Sequence, residues 1–439
     1  MVINIVHPRL YVLLTIVAVS TVASNVTLTI APVRVATADD ESVVQALAAP
    51  GQAWANREYD FSIGRFYSHI KFTSLEWLAS VNSDLLHSTL RVAAFYAAVI
   101  ALAWFAHVAT GSLKIALLLV VVVSATVPVW IRYQALLSHP LLWIGWAAIW
   151  VVGGLALLPE SQWSRLGTTI AFSFALIAHE SNAVFIAWPA ILKWSLGCNW
   201  IRSAFRLSLG SLLVLVAYGG LSLWLRSEVL SMTGGVLYQG ASISFNIPEI
   251  LWALAAYSFS GLPGLSSFVT HHLDGPLILS PRTWWDCLKY YTSPLAVLGS
   301  FFVSITVFNI FNSFIGMSRH GGFVVFGWRL WVGVIFAVFA PNFLLALTHK
   351  YQMWAHQRMW PYYYSSMSFM AWNLLLVVAC LLLVRRAYSR YIRYAIGVTV
   401  LVFSFVAALS IAASNRRAAA SLEKEIFYHT HSPRPAKRS

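Results

Sequence analysis

Carboxylates are scarce in this chain. Of its 439 residues, 15 are Asp or Glu and 29 are Lys or Arg. All charged residues together make up 10%, where a soluble domain carries about 25%. That shortage excludes a large soluble domain. Cysteine is scarcer still. Cys198, Cys287 and Cys380 are scattered, which excludes a disulfide framework and a cysteine-based zinc site and reads each as a small apolar residue. His271-His272 is adjacent in sequence, and two neighbouring histidines do not make a tetrahedral metal site alone. The chain has no G-x-x-x-x-G-K-[ST] loop and no dinucleotide fingerprint, so direct use of ATP or a nicotinamide cofactor finds no support. Its formal net charge of +14 comes without a basic arm or recognition motif, which excludes nucleic acid as the partner. Nothing repeats at a fixed period, and matched broken halves are what a secondary transporter would show.

What is present is apolar sequence. Hydrophobic residues make up 59% of the chain, and the mean hydropathy is +0.71. A membrane helix needs roughly 20 apolar residues. By that measure spans are expected at 10–31, 88–108, 113–131, 139–158, 207–225, 291–316, 325–347, 359–384 and 394–413. The stretch 167–192 is interrupted by His179-Glu180. The fold class is thus an all-α polytopic bundle of about 10–11 membrane segments, in one domain over 1–413, with a short basic tail over 414–439. The first span reads as retained rather than as a cleaved leader, because its apolar run exceeds a typical signal core. Asn25-Val26-Thr27 has the form of a glycosylation sequon, but it lies inside that run.

Topology hinges on 167–192. If it crosses once, Arg165 and the basic residues Lys193, Arg202 and Arg206 fall on opposite sides. If it is a hairpin of two short helices, they share one side with Arg319, Arg329, Arg385, Arg386, Arg390 and Arg393, as the positive-inside rule prefers. The hairpin puts His179-Glu180 at a tip facing outward. It also predicts a cavity, since irregular backbone at membrane depth is tolerated only where protein or water covers it. Both long loops, about 32–87 and 226–290, are then outside. Each holds an apolar-sided piece that reads as an interfacial helix, at Phe66–Val81 and Pro248–Gly261.

Three clusters carry chemistry. Asp39-Asp40-Glu41 follows the first span directly. A carboxylate at the edge of a low-dielectric cavity has its pKa pushed toward neutrality and can take a proton from an attacking hydroxyl. Glu180 is the one acid buried by sequence within an apolar run, with His179 beside it; ionisable groups in such positions are costly and often functional. His349-Lys350, His356 and Arg358 precede Trp360-Pro361-Tyr362-Tyr363-Tyr364. This basic, aromatic patch stands against the positive-inside trend. It calls for an anionic partner such as a lipid phosphate, for which Arg supplies two parallel donors.

Together these pieces resemble the C-type superfamily of membrane glycosyltransferases, which use lipid-phosphate-linked sugars. The resemblance rests on Ala38-Asp39-Asp40-Glu41 with Gln45, on His179-Glu180 with Pro189 where the family commonly has Lys-Glu, and on His349-Lys350, Arg358, Pro361 and Tyr362. It implies a sugar donor on polyprenyl phosphate and a lipid, glycan or protein acceptor. Arg358, helped by Lys350 and His349 and flanked by His356 and Tyr362, would hold the phosphate as leaving group. Asp40, or Asp39 with Glu41 beside it, would be the base in an inverting displacement. Glu58 or Asp60 would orient the acceptor, and Trp54, Tyr59 and Trp284-Trp285 could stack on sugar rings. No cofactor is required, although Asp39-Asp40-Glu41 could hold a divalent metal. The expected location is a bacterial inner membrane, with the endoplasmic reticulum as the alternative. The rivals are a polysaccharide polymerase or ligase, a transporter of lipid-linked sugars, and a scaffold.

Overall fold

A computed structural model describes residues 8–30, 83–127, 139–197, 199–233, 242–264, 269–270, 278–279, 281–315, 328–357, 362–386 and 390–431. The helices are α1 Pro8–Ile30, α2 Asp84–Thr110, α3 Leu113–Thr126, α4 His139–Leu157, α5 Gln162–Ala178, a 3₁₀ helix Glu180–Ala187 and α6 Trp188–Leu196. They continue with α7 Trp200–Thr233, α8 Ile247–Ser260, α9 Pro281–Tyr291, α10 Pro294–Ile315, α11 Trp328–Ala346, α12 His349–His356, α13 Tyr362–Arg386 and α14 Arg390–His431. Two two-residue strands, β1 Val269–Thr270 and β2 Ile278–Leu279, pair antiparallel. Among the described residues eight helices, α1, α2, α4, α7, α10, α11, α13 and α14, are long and apolar enough to cross a membrane. The chain is an all-α, multi-pass membrane bundle.

Cross-helix contacts set the direction of each pass. On α10, Gly299 faces Thr21 and Val22 of α1, and Thr306 reaches the Leu14 carbonyl, so α1 and α10 are antiparallel. Ser304 of α10 donates to the Leu401 carbonyl of α14. Trp188 donates to the Gly333 carbonyl at 2.9 Å, and Arg329 donates to the Trp194 carbonyl, so α6 and α11 are antiparallel. Ser368 of α13 bonds the Val338 carbonyl of α11. Gly111, with φ +66° and its N–H on the His107 carbonyl, turns α2 into α3. Lys193 Nζ donates to the Leu158 carbonyl at 2.9 Å. The end of α6 therefore returns to the beginning of α5, and 167–192 belongs to a hairpin.

Followed through these contacts, α3, α5 and the 3₁₀–α6 unit run between the same two faces as the eight long helices. The charges separate accordingly. One face carries Arg9, Lys114, Arg165, Lys193, Arg202, Arg206, Arg329 and Arg390, with Glu160 as its single acid among the described residues. Burial pulls the Glu160 carboxyl up, but hydrogen bonds from Arg165 and Ser203 and the charges of Arg165 and Arg206 outweigh it and hold it below the usual range. The other face carries Asp84, Glu180, Glu228, Glu249 and Asp286 together with Arg226, Arg282, Lys289, Lys350, Arg416 and Arg417, so it is mixed in sign where the first face is nearly all basic. By the positive-inside rule the basic face is cytoplasmic.

Lipid gives helices no hydrophobic reason to associate, so close packing must hold them. Trp143, Trp146, Trp150 and Trp188 are fully buried with Phe105 and Phe185. Trp150 and Trp188 meet edge to face at 5.4 Å between ring centres, and Phe105 touches both. Two glycines make room. A Cβ on Gly153 would lie 2.6 Å from the Trp188 ring, and one on Gly154 would lie 2.1 Å from Trp104.

Some boundaries differ from the sequence expectation. α7 covers Trp200–Thr233, longer than 207–225 at both ends. α14 continues unbroken to His431 through the expected tail. The first turn beyond 413 has tertiary partners: Asn415 donates to the Val127 carbonyl, and Arg417 meets Cys287. The expected interfacial piece at Pro248–Gly261 is α8, whereas Phe66–Val81 lies outside the described residues.

The hairpin has a direct test. In a cysteine-free background, Gln162→Cys and Leu196→Cys should react with an impermeant maleimide only after the cytoplasmic side is opened, and Ser242→Cys should react in intact cells. Labelling of Gln162→Cys and Leu196→Cys from opposite sides would contradict the hairpin.

Candidate functional site

The hairpin tip ends below the acidic face. Ala178 and Asn182 lie against Gly145 of α4, six residues inside the start of that helix, which is about 9 Å at 1.5 Å per residue. On the other flank, Phe185 packs edge to face with Phe336 of α11. From that contact, α11 rises ten residues to Ala346, about 15 Å. The 3₁₀ turn climbs only five to Glu180, about 10 Å. α4 and α11 both outreach the tip, leaving a step on the acidic side with His179-Glu180 at its floor.

His179 builds this floor. Its backbone is extended, and its Nδ1 accepts from the Ser181 N–H at 3.1 Å while contacting Ser181 Oγ at 2.9 Å. It caps the 3₁₀ helix through a ring nitrogen. Asn182 Nδ2 returns to the Ala175 carbonyl at 2.8 Å and closes the turn. Glu180 stands half-buried beside the cap.

Above the step lies a second assembly, made by α12, α8 and the extended segment before α8. Ser244 N–H bonds the Leu347 carbonyl, and His349 N–H bonds the Ser242 carbonyl. Gln352 Nε2 donates to the carbonyls of Ser244 and Ala346, satisfying the end of α11. Lys350 Nζ lies 4.5 Å from the Trp354 ring centre, a cation–π contact. His356 pairs with Glu249 of α8, and Trp252 stacks on the His356 ring. Tyr257 donates to the Tyr351 carbonyl. Burial, and the Tyr351 phenol beside it, push the Tyr257 hydroxyl upward, so it remains a donor at physiological pH. Below, Asn342 Nδ2 donates to Ser258 at 3.2 Å and to Ser368 at 3.0 Å, and Trp372 donates to the Ser258 carbonyl. This buried polar knot ties α8 to α11 and α13.

The expected site residues fall at separate places. His179 and Glu180 occupy the tip. His349, Lys350 and His356 share α12, with His356 partnered by a carboxylate of its own chain. Tyr362 opens α13. Asp39, Asp40, Glu41, Glu58, Asp60 and Arg358 lie outside the described residues, as do Trp54 and Tyr59. Trp284 is engaged with Ser410, and Trp285 is exposed. Among the described residues no group of three His, Cys, Asp or Glu could hold a metal.

One residue was passed over in sequence. Arg91, on α2, is 4% exposed, with His87 and Ser88 buried beside it. Phe95 of α2 meets Trp143 of α4, so Arg91 lies about one turn nearer the acidic face than that contact and about 9 Å above the tip. A guanidinium buried at membrane depth demands an anionic or carbonyl partner. The signal was available, since Arg91 falls within the expected span 88–108, where it reads as a flanking charge. No family model, curated protein or solved structure matches this chain, so the site is read from its own residues.

Asn342→Leu removes both donations and leaves Ser258 Oγ and Ser368 Oγ without them. A loss of about 1–3 kcal/mol is expected, read as a lower melting temperature in detergent, together with faster proteolysis near α8.

Proposed function

We propose that the chain is a membrane glycosyltransferase that moves a sugar from a polyprenyl-phosphate donor to a lipid, glycan or protein acceptor on the acidic face. The observation that supports this reading most is the placement of charge. The described acids other than Glu160 share one face, and on that same face a buried Arg91 and the basic helix α12 stand beside the step. Arg91, His349 and Lys350 bring positive charge to the side of the step, as an anionic donor would need.

In the proposed reaction an acceptor hydroxyl attacks the anomeric carbon. The bond from that carbon to the phosphate oxygen breaks with inversion, and the electron pair leaves on the phosphate. The proton goes to Asp40 or Asp39, with Glu41 alongside. Arg358, Lys350 and His349 stabilise the departing phosphate. Glu180 with Glu58 or Asp60 orients the acceptor. The displacement needs no cofactor. A polymerase or ligase acting on lipid-linked glycans is the second reading, favoured by the weight of outer Arg and His at Arg91, His349 and His356.

Purified protein in lipid, given a panel of polyprenyl-phosphate sugars and a lipid acceptor extract, should turn over one donor. Asp39→Asn with Asp40→Asn should lower the rate by about 10²–10⁴-fold, the usual contribution of a general base. Full activity in that variant would remove these acids as the base. Loss of activity in Arg91→Leu and His349→Gln alone, with the acids dispensable, would favour the polymerase reading.

A further inference from the structure

The surface above the step is more apolar than a water-facing element tolerates. The extended segment before α8 presents Ile243 and Phe245, exposed by 61% and 79%, and Ile247, exposed by 67%, opens the helix. Alternation at period two places Ile243 and Phe245 on one side. α8 continues the surface with Leu251, Trp252 and Phe259, also exposed, while Ala253, Tyr257 and Ser258 face inward. The two stripes form one comb of large apolar side chains.

α8 is also inclined. Its last turn reaches membrane depth, where Phe259 contacts Phe339 of α11 and Trp372 of α13, and Ser258 bonds Asn342. Its first turn is at the level of α12, where Glu249 meets His356. The apolar comb is continuous with the outward surface of α11, along which Val332, Ile335 and Phe343 are exposed. That surface belongs to a membrane-crossing helix. Polar residues mark the upper rim: His349 is exposed, and Lys350 is half-buried over Trp354. Glu249, the carboxylate among these described rim residues, is already paired.

We infer that the segment 242–260 is a wedge immersed in the outer leaflet, with its comb against acyl chains and the His349–Lys350 rim at the level of anionic phospholipid headgroups. The occupant follows from the continuity of the comb with the lipid-facing side of α11 and from the cations at its upper edge. A helix held this way sinks about 5–10 Å into the boundary between headgroups and acyl chains. The polar knot of Asn342, Ser258 and Ser368 holds the deep end, and Glu249–His356 holds the shallow end. The inference concerns bulk phospholipid and does not depend on sugar transfer.

The test uses the full chain in nanodiscs, in a cysteine-free background, with nitroxide labels at Phe245→Cys, Leu251→Cys and Arg282→Cys on α9. Labels at 245 and 251 should collide several-fold more with oxygen than with a water-soluble nickel chelate, and the label at 282 should show the reverse. Aqueous behaviour at both 245 and 251 would overturn the wedge. For the rim, nanodiscs of phosphatidylglycerol should raise the melting temperature above that in phosphatidylcholine, and Lys350→Gln with His349→Gln should shrink the difference. An undiminished difference in that folded variant would overturn the headgroup assignment while leaving the immersion test to stand or fall separately.

Discussion

The return of the chain at His179-Glu180 is the constraint on which the rest of the structure depends. A membrane protein keeps its sides by parity, and every reversal passes its consequence to all later helices. Here the reversal is secured by Asn182 bonding back to the Ala175 carbonyl and by Lys193 reaching the Leu158 carbonyl. Crossed once instead, this stretch would invert everything from α7 onward. Lys193, Arg202, Arg206, Arg329 and Arg390 would then leave the side that holds Arg165. Backbone satisfaction in lipid and the segregation of charge therefore select the same turn.

The tip can stop short of its neighbours because it is a tight 3₁₀ turn capped from within. His179 supplies the cap, so the peptide at the reversal has its partner without help from water or from a longer loop. The step that results leaves the half-buried His179-Glu180 pair between two taller apolar helices. Arg91 overlooks it from α2, and α12 lies beyond the end of α11. Fixed donors beside a low-dielectric floor are suited to holding an anion, since charge interactions there are less screened than in open water.

The upper assembly shows how a marginal element is kept in place. α8 has 14 residues, near the limit at which an isolated helix is stable in water. It is held through contacts remote in sequence: Tyr257 to Tyr351, Ser258 to Asn342 and Trp372, and Glu249 to His356. One face of the helix is thereby committed to the protein, which leaves the other for lipid.

Much of this was legible beforehand, and the reason is physical. Membrane crossing depends on summed hydropathy over about 20 residues, and sidedness depends on where Lys and Arg fall. Both are local and additive, so the all-α bundle, the spans, the outward acids and the preference for a hairpin at 167–192 follow from the sequence by itself. So does α8, from its one-sided pattern. What only the tertiary structure decided depends on which distant residues meet. The burial of Arg91 is set by the helices that pack over it. That the His179 ring caps Ser181 is not written in the sequence. Nor is the pairing of His356 with Glu249, far away in the chain. The helix passes 413, where Asn415 and Arg417 find partners at Val127, just past α3, and on α9. Hydropathy and charge can be summed along one chain, but a partner across the bundle is a property of the packing.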